Sequence, residues 1–263
     1  MTKTQRLRMT IDIMMTILSI ILMGGNYLFP KDIVHEILGV ALFVLWGVHI
    51  ALNRRWCVTI FRGKYNPYRV MQTVINCSIL ICTIFLMISG IILSNHIFTF
   101  LNIQGGLGFA RIAHLLASHW YYLFMSLHIG LHMGMIANRI KQKKQAKKVE
   151  NGQANRQAEL QNNREPAKSD NKTAANTRFG RIIFNILLAL VCAYGIYVFI
   201  IRGVWKYLIL QQQFFFFDLE RGYILFALDY LSIIILFATI SHFLAKLLKN
   251  IKQGVNTYDF RHN

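Results

Sequence analysis

The sequence predicts an all-α integral membrane protein with six transmembrane helices, and three observations carry that prediction. Hydrophobic residues make up 55% of the 263, and Asp, Glu, Lys and Arg together only 15%, against roughly 25% charged in a soluble globular protein. The apolar residues gather into long runs, and a helix needs about 20 of them to cross a bilayer. The charge is lopsided: 29 Lys and Arg against 11 Asp and Glu, a net of +18, held in blocks between the apolar runs. A soluble enzyme, a disulfide scaffold and a nucleic-acid binder are set aside on these grounds. With only three prolines, long unbroken helices are open to the chain.

Six stretches meet the length requirement: Met9 to Phe29, Val34 to Leu52, Val70 to Ser94, Ile112 to Ala137, Ile182 to Ile201 and Tyr223 to Leu244. The first follows Lys3, Arg6 and Arg8, as the core of a signal peptide would. Its apolar run is long, however, and Met23-Gly24-Gly25 is a poor cleavage site, so a retained helix is expected. Cys77, Cys82 and Cys192 lie inside apolar runs and Cys57 in a basic loop. No C-x-x-C pair is present, which removes zinc ribbons and covalently attached haem and leaves inert thiols.

The loops set the expected orientation. One set of ends holds three basic residues before the first run, then five from Arg54 to Arg69, twelve from Arg139 to Arg181 and four from Lys246 to Arg261. These make 24 of the 29. Six spans bring both termini to this rich side, which the positive-inside rule makes cytoplasmic in a cell membrane. Residues 138–179 are rich in Asn, Gln, Lys and Ala and have no apolar periodicity, so they read as a disordered cytoplasmic linker. That divides the chain into 1–137, the linker, and a two-helix region over 180–263. The positive charges from Arg139 to Lys148 serve topology first and contact with anionic lipid second. On the other side, Tyr207 to Phe217 ends in four consecutive Phe, Phe214 to Phe217, which read as an interfacial aromatic anchor.

The histidines carry the chemistry. Several lie within apolar spans, where an ionisable residue is costly and marks a functional site by default; any single one is more simply a buried neutral residue bonded to a neighbouring helix. Spacing shifts the balance. His35 and His49 are 14 residues apart on the second run, and His114 and His128 are 14 apart on the fourth. Fourteen residues make about 3.9 turns and about 21 Å of rise, so each pair shares one helix face. The second and fourth helices run parallel, which lets His35 meet His114 near the outer surface and His49 meet His128 near the inner one. Two axial histidines from facing helices are what a low-spin b-type haem takes, and helix-bundle cores are where such groups sit. The expected cofactors are two haem b.

Weaker support comes from the surroundings. Gly39, Gly47 and Gly130 lie close in sequence to His35, His49 and His128 and offer space for a porphyrin, although close helix packing explains such glycines equally well. Arg54, Arg55 and Arg111 sit at the edges of the spans, where haem propionates want cations. His132 is five turns from His114 and shares its face, but lies about 6 Å deeper than His128; it stands as the alternative ligand. His119 points off that face and reads as a hydrogen-bonded core residue, His96 as a loop residue and His242 as an interface residue. Asp12 reads as a helix-start residue, while Asp229 is too deep for that.

Over residues 1–137 the chain resembles the flavinylation-associated cytochromes, bacterial membrane proteins of the two-haem cytochrome b superfamily. The resemblance is carried by Ile11-Asp12, His35-Glu36-Ile37-Leu38-Gly39, His49-Ile50-Ala51-Leu52-Asn53-Arg54-Arg55-Trp56, Ser89-Gly90-Ile91 and His128-Ile129-Gly130-Leu131-His132. It continues loosely through Phe215-Phe216-Phe217-Asp218. It implies a four-helix di-haem core plus a C-terminal helix pair, and electron exchange between the membrane quinone pool and an extracytoplasmic protein carrying FMN. Two other functions remain in play. One is an oxidoreductase subunit that oxidises quinol or reduces ferric iron beside one haem. The other, ranked lower, is a membrane transporter binding metal ions directly, which would need its ligands clustered around one ion.

Overall fold

The computed structural model describes residues 3–24, 31–62, 65–162, 172–214 and 222–259. Among these every regular element is a helix: α1 (Lys3–Leu22), α2 (Asp32–Leu52), α3 (Arg54–Thr59), α4 (Pro67–Leu93), a 3-10 turn (Thr99–Leu101), α5 (Leu107–Asn162), α6 (Lys172–Ile201), α7 (Val204–Leu208) and α8 (Gly222–Asp259). Four of them are long and apolar enough to cross a membrane: α2, α4, α6 from Phe179 and α8 as far as Lys249. The chain is therefore an all-α, multi-pass membrane protein. α1 and α5 pack among these four; α1 carries Lys3, Arg6, Arg8 and Asp12 within its 20 residues.

Local chemistry sets the boundaries. Asn66 caps α4, its side chain accepting from the Arg69 backbone N–H at 2.8 Å, and Pro67 takes the first turn, where its missing N–H costs nothing. Asn53 breaks α2 from α3, with its own N–H returning to His49 and Ile50 carbonyls. Before α5 the chain turns through Gly106, whose φ of +78° a residue with a Cβ adopts only at a cost.

The best-packed part of the molecule is α4, α5, α6 and α8. Tyr122, Met125, Phe226, Tyr230, Ile233 and Ile234 are buried in one cluster with Val198 and Cys82. Small residues allow the close approach: a Cβ on Gly195 would stand 2.7 Å from the Ser232 carbonyl oxygen, so the backbones of α6 and α8 come close together. The C-terminal helices are thus part of the core, with α8 lying along α5. α2 is different. It rests on α1, touches α4 sparingly and has no buried residue in all 21. A gap separates it from α5, and the histidines face into that gap.

Two expectations need correction. Residues 138–162 are the continuation of α5, and α6 begins at Lys172, so most of the supposed linker is helical; 163–171 lie outside the described residues. The reason is that Ala, Gln, Lys, Arg and Glu are strong helix formers, and an existing helix extends without paying again for nucleation. Lack of a core-forming stripe argues against independent folding, not against helix. Secondly, α1 starts at Lys3, which places Asp12 in the third turn, well past the helix start. Ahead of the four Phe the chain turns inward: Tyr207 is buried at 3% exposure on α7, which folds back on α5, where the Trp120 indole donates to the Leu208 carbonyl at 3.1 Å. Phe214 is exposed, and Phe215 to Phe217 lie outside the described residues.

Candidate functional site

The two histidine pairs are the feature around which the site is built. His35 on α2 and His114 on α5 have ring centroids 6.4 Å apart with planes crossing at 64°. His49 and His128, 14 residues further along each helix, repeat this at 6.4 Å and 74°. Equal offsets on both helices require α2 and α5 to run parallel, with α4 between them in sequence. The spacing has a chemical meaning. A metal–imidazole bond is about 2.0–2.1 Å, and a ring nitrogen stands ~1 Å from its ring centre. Two imidazoles on opposite sides of one metal ion therefore have centroids about 6 Å apart. Direct contact or a shared hydrogen bond is not needed to explain the pairs.

The second ring nitrogens are fixed from outside. His49 Nδ1 lies 2.8 Å from Asp12 Oδ1 on α1, His128 Nδ1 lies 2.8 Å from Asn76 Oδ1 on α4, and His114 Nδ1 lies 3.0 Å from Ser89 Oγ on α4. Ser89 gives its own proton to the Phe85 carbonyl at 2.6 Å, which leaves its lone pairs to accept from His114. With Nδ1 protonated and bonded, each of these three rings presents Nε2 as the free donor atom, the arrangement that orients metal-binding histidines. His35 Nδ1 is buried with no hydrogen-bond partner.

Around the outer pair lies a cavity of about 280 Å³, walled by His35, His114, Gly39, Gly90, Trp46 and Tyr121 among others. Gly39 would bring no atom within 4 Å of an added Cβ, and Gly90 would meet only His114 Cε1 at 3.8 Å. These two glycines face the cavity from α2 and α4 and leave room for a flat group. His49 and His128 lie beyond its walls. The end of the site is closed by Glu36, the neighbour of His35. Its carboxylate accepts from Ser94 Oγ at 2.7 Å and from the backbone N–H groups of Asn95, His96 and Ile97 at 2.8, 3.3 and 3.0 Å. One side chain thus ties the start of α2 to the loop after α4.

The remaining predicted residues divide. His132 is half-buried, one turn beyond His128, with ring centroids 4.6 Å apart; the ring facing His49 is that of His128. His119 is a core residue, its Nδ1 2.8 Å from the Leu115 carbonyl and its ring stacked 4.3 Å from Tyr207. His242 packs at the α5–α8 seam beside Gly134. Gly130 is corrected: it belongs to that seam, where an added Cβ would stand 2.7 Å from Ser241 Cβ and closer still to the Ala238 carbonyl oxygen. Two residues along a helix turn the side chain by about 200°, so a neighbour at that spacing faces away from the histidine. The same rotation removes Gly47, which is exposed. Arg54 and Arg55 lie exposed on α3 and Arg111 exposed near the start of α5. Comparison with known proteins finds no matching family model, no similar curated protein and no similar solved structure.

Asp12, Asn76, Ser89, Glu36 and Gly90 were not singled out from the sequence as site residues. A signal was present for two of them. Asn76 and Ser89 are polar, lie within one apolar run and are 13 residues apart, nearly the histidine spacing, so they meet the two pairs at matched depths.

Proposed function

We propose that the chain is a transmembrane electron carrier holding two b-type haems, one between His35 and His114 and one between His49 and His128. The observation that supports it is the repetition of a 6.4 Å ring separation at two levels of the same helix pair, with three of the four rings oriented through Nδ1. When bound, such a group supplies one-electron chemistry at the iron. The chain's own residues do the rest. α2 and α5 supply the ligands, Asp12, Asn76 and Ser89 hold the rings, and Gly39 and Gly90 leave space. Phe43 and Trp46, stacked at 5.9 Å on α2 between the two histidines of that helix, help to keep the interval apolar.

In this reading α1 and α5 also cross the membrane, giving six spans. The basic ends lie in the cytoplasm, so that His49 and His128 face inward and His35 and His114 outward. The two levels are about 21 Å apart along the helices. A membrane quinol is the proposed donor on the inner side, and a flavin-carrying extracytoplasmic protein the proposed acceptor. The metal-transport reading needs its ligands clustered around one ion, whereas the paired histidines stand on two levels of the same helices. A pyridine haemochrome assay on protein purified from haem-sufficient cells tests the proposal. Close to two haem b per chain are expected; a value near zero overturns it.

A further inference from the structure

The four histidines are paired alike but are not supported alike. His128 and His114 lean on neutral oxygens, the Asn76 amide and the Ser89 hydroxyl, and His35 Nδ1 has no partner. Only His49 bonds a carboxylate, Asp12 at 2.8 Å. Among the described residues His49 is the single ion-pair partner of Asp12. Arg8, one turn earlier on α1, is engaged elsewhere, donating to the Leu52 carbonyl at 2.6 Å at the end of α2. Asp12 stands in the third turn of α1, half exposed, with its carboxylate reaching across to α2. The carboxylate on a histidine N–H does more than orient the ring. It makes the imidazole a more basic ligand and brings a negative charge within one ring of the metal, and both favour the oxidised ion.

We propose that Asp12 is a positioning residue that makes the His49/His128 site the weaker electron acceptor of the two, so that a single shared electron rests on the His35/His114 side. This rests on the two-haem reading above. The competing charges do not reverse the order. Glu36 and Asp32 stand near His35 as charges, but neither acid bonds the His35 ring, so neither makes that imidazole a more basic ligand. Arg54 and Arg55, past the end of α2, are exposed to water, where ions screen them over about 8 Å. No bond on the protein forms or breaks as the electron redistributes; what one site loses the other gains. With a quinol on the inner side and a flavin outside, the order gives outward flow a downhill step inside the protein itself.

The test is a potentiometric titration of purified, haem-loaded full-length protein at one fixed pH, with haem content measured on the same samples. The variants are Asp12→Asn, which keeps the size and an acceptor oxygen but removes the charge, and Asp12→Glu. Wild type is expected to hold two haems that titrate as two components. In Asp12→Asn both haems stay and the lower component moves up, with at least a tenfold rise in its reduced-to-oxidised ratio at a set potential, about 59 mV for one electron. The upper component is unmoved, and Asp12→Glu returns the lower one toward wild type. Both haems retained with neither component shifted, or a shift in the upper component alone, overturns the proposal and leaves the two-haem reading standing. Wild type without haem overturns that reading instead. If Asp12→Asn loses a haem, Asn76→Asp decides: a second carboxylate, on His128, lowers the same component if the proposal holds, and an unmoved component overturns it.

Discussion

Replacing Gly130 by alanine separates two readings of one residue. Its place two positions after His128 suggests a wall of the histidine site, while the structure sets it in the seam between α5 and α8. An added Cβ would stand 2.7 Å from Ser241 Cβ and 2.9 Å from the Ala238 carbonyl carbon, where carbon atoms prefer about 3.5–4.0 Å. The seam has to open by about 1 Å, and two of the opposing atoms are backbone. Overpacking of this kind costs roughly 1–3 kcal/mol, offset by about 1 kcal/mol for removing a glycine from a helix interior. The net expectation is a loss of about 0–2 kcal/mol. Gly180→Ala, inside α6, is the internal reference, because its Cβ meets nothing within 4 Å and only the helix gain of about 1 kcal/mol remains. Thermal unfolding in detergent, followed by helical circular dichroism, should place Gly130→Ala several degrees below Gly180→Ala, at about 2–4 °C per kcal/mol for a chain this size. Haem content should be the same in both. Gly130→Ala melting at or above Gly180→Ala, or losing a haem without losing stability, refutes the packing argument.

Two further outcomes follow from the polar groups inside the helices. Glu36→Gln keeps one acceptor oxygen for four donors, so backbone N–H groups 95–97 should lose protection in hydrogen exchange by roughly tenfold or more, as about 1.5–3 kcal/mol attends each hydrogen bond to a charged group; unchanged exchange there contradicts the clamp. Asp229→Ala leaves Arg202, otherwise held through Nε and Nη2 at 2.9 and 2.6 Å, without a counter-charge between α6 and α8. That should cost about 3–5 kcal/mol, while an Arg202→Met, Asp229→Leu double variant should recover most of it, as read by the same unfolding assay.

Much of the membrane part was legible because apolar length is a strong and local signal. The spans of α2, α4, α6 and α8 were predicted close to their described bounds, and the histidine spacing that brings His35 to His114 and His49 to His128 is a consequence of helix rise alone. What escaped depended on neighbours. Asp12 reads as a helix-start acid until α1 is placed against α2, since nothing in its own segment shows that His49 lies beside it. Gly130 and Gly47 were misjudged by proximity in sequence, where helix rotation turns them away from the histidine face. The helical run from 138 to 162 was missed because amphipathic periodicity reports burial, and a solvated helix made of good helix formers needs none. Composition gives no sign that Tyr207 stacks on His119; that contact follows from the fold-back of α7 onto α5.

The central claim is the pairing itself, and double substitution tests it most directly. Each of His35→Ala, His49→Ala, His114→Ala and His128→Ala should leave one haem per chain, and His132→Ala should leave two. The same-pair double variants, His35→Ala with His114→Ala or His49→Ala with His128→Ala, should still hold one. The cross-pair double His35→Ala with His128→Ala should hold none. A same-pair double without haem, a cross-pair double that retains one, or a His132→Ala variant that loses a haem while His128→Ala keeps both would contradict the two-site account.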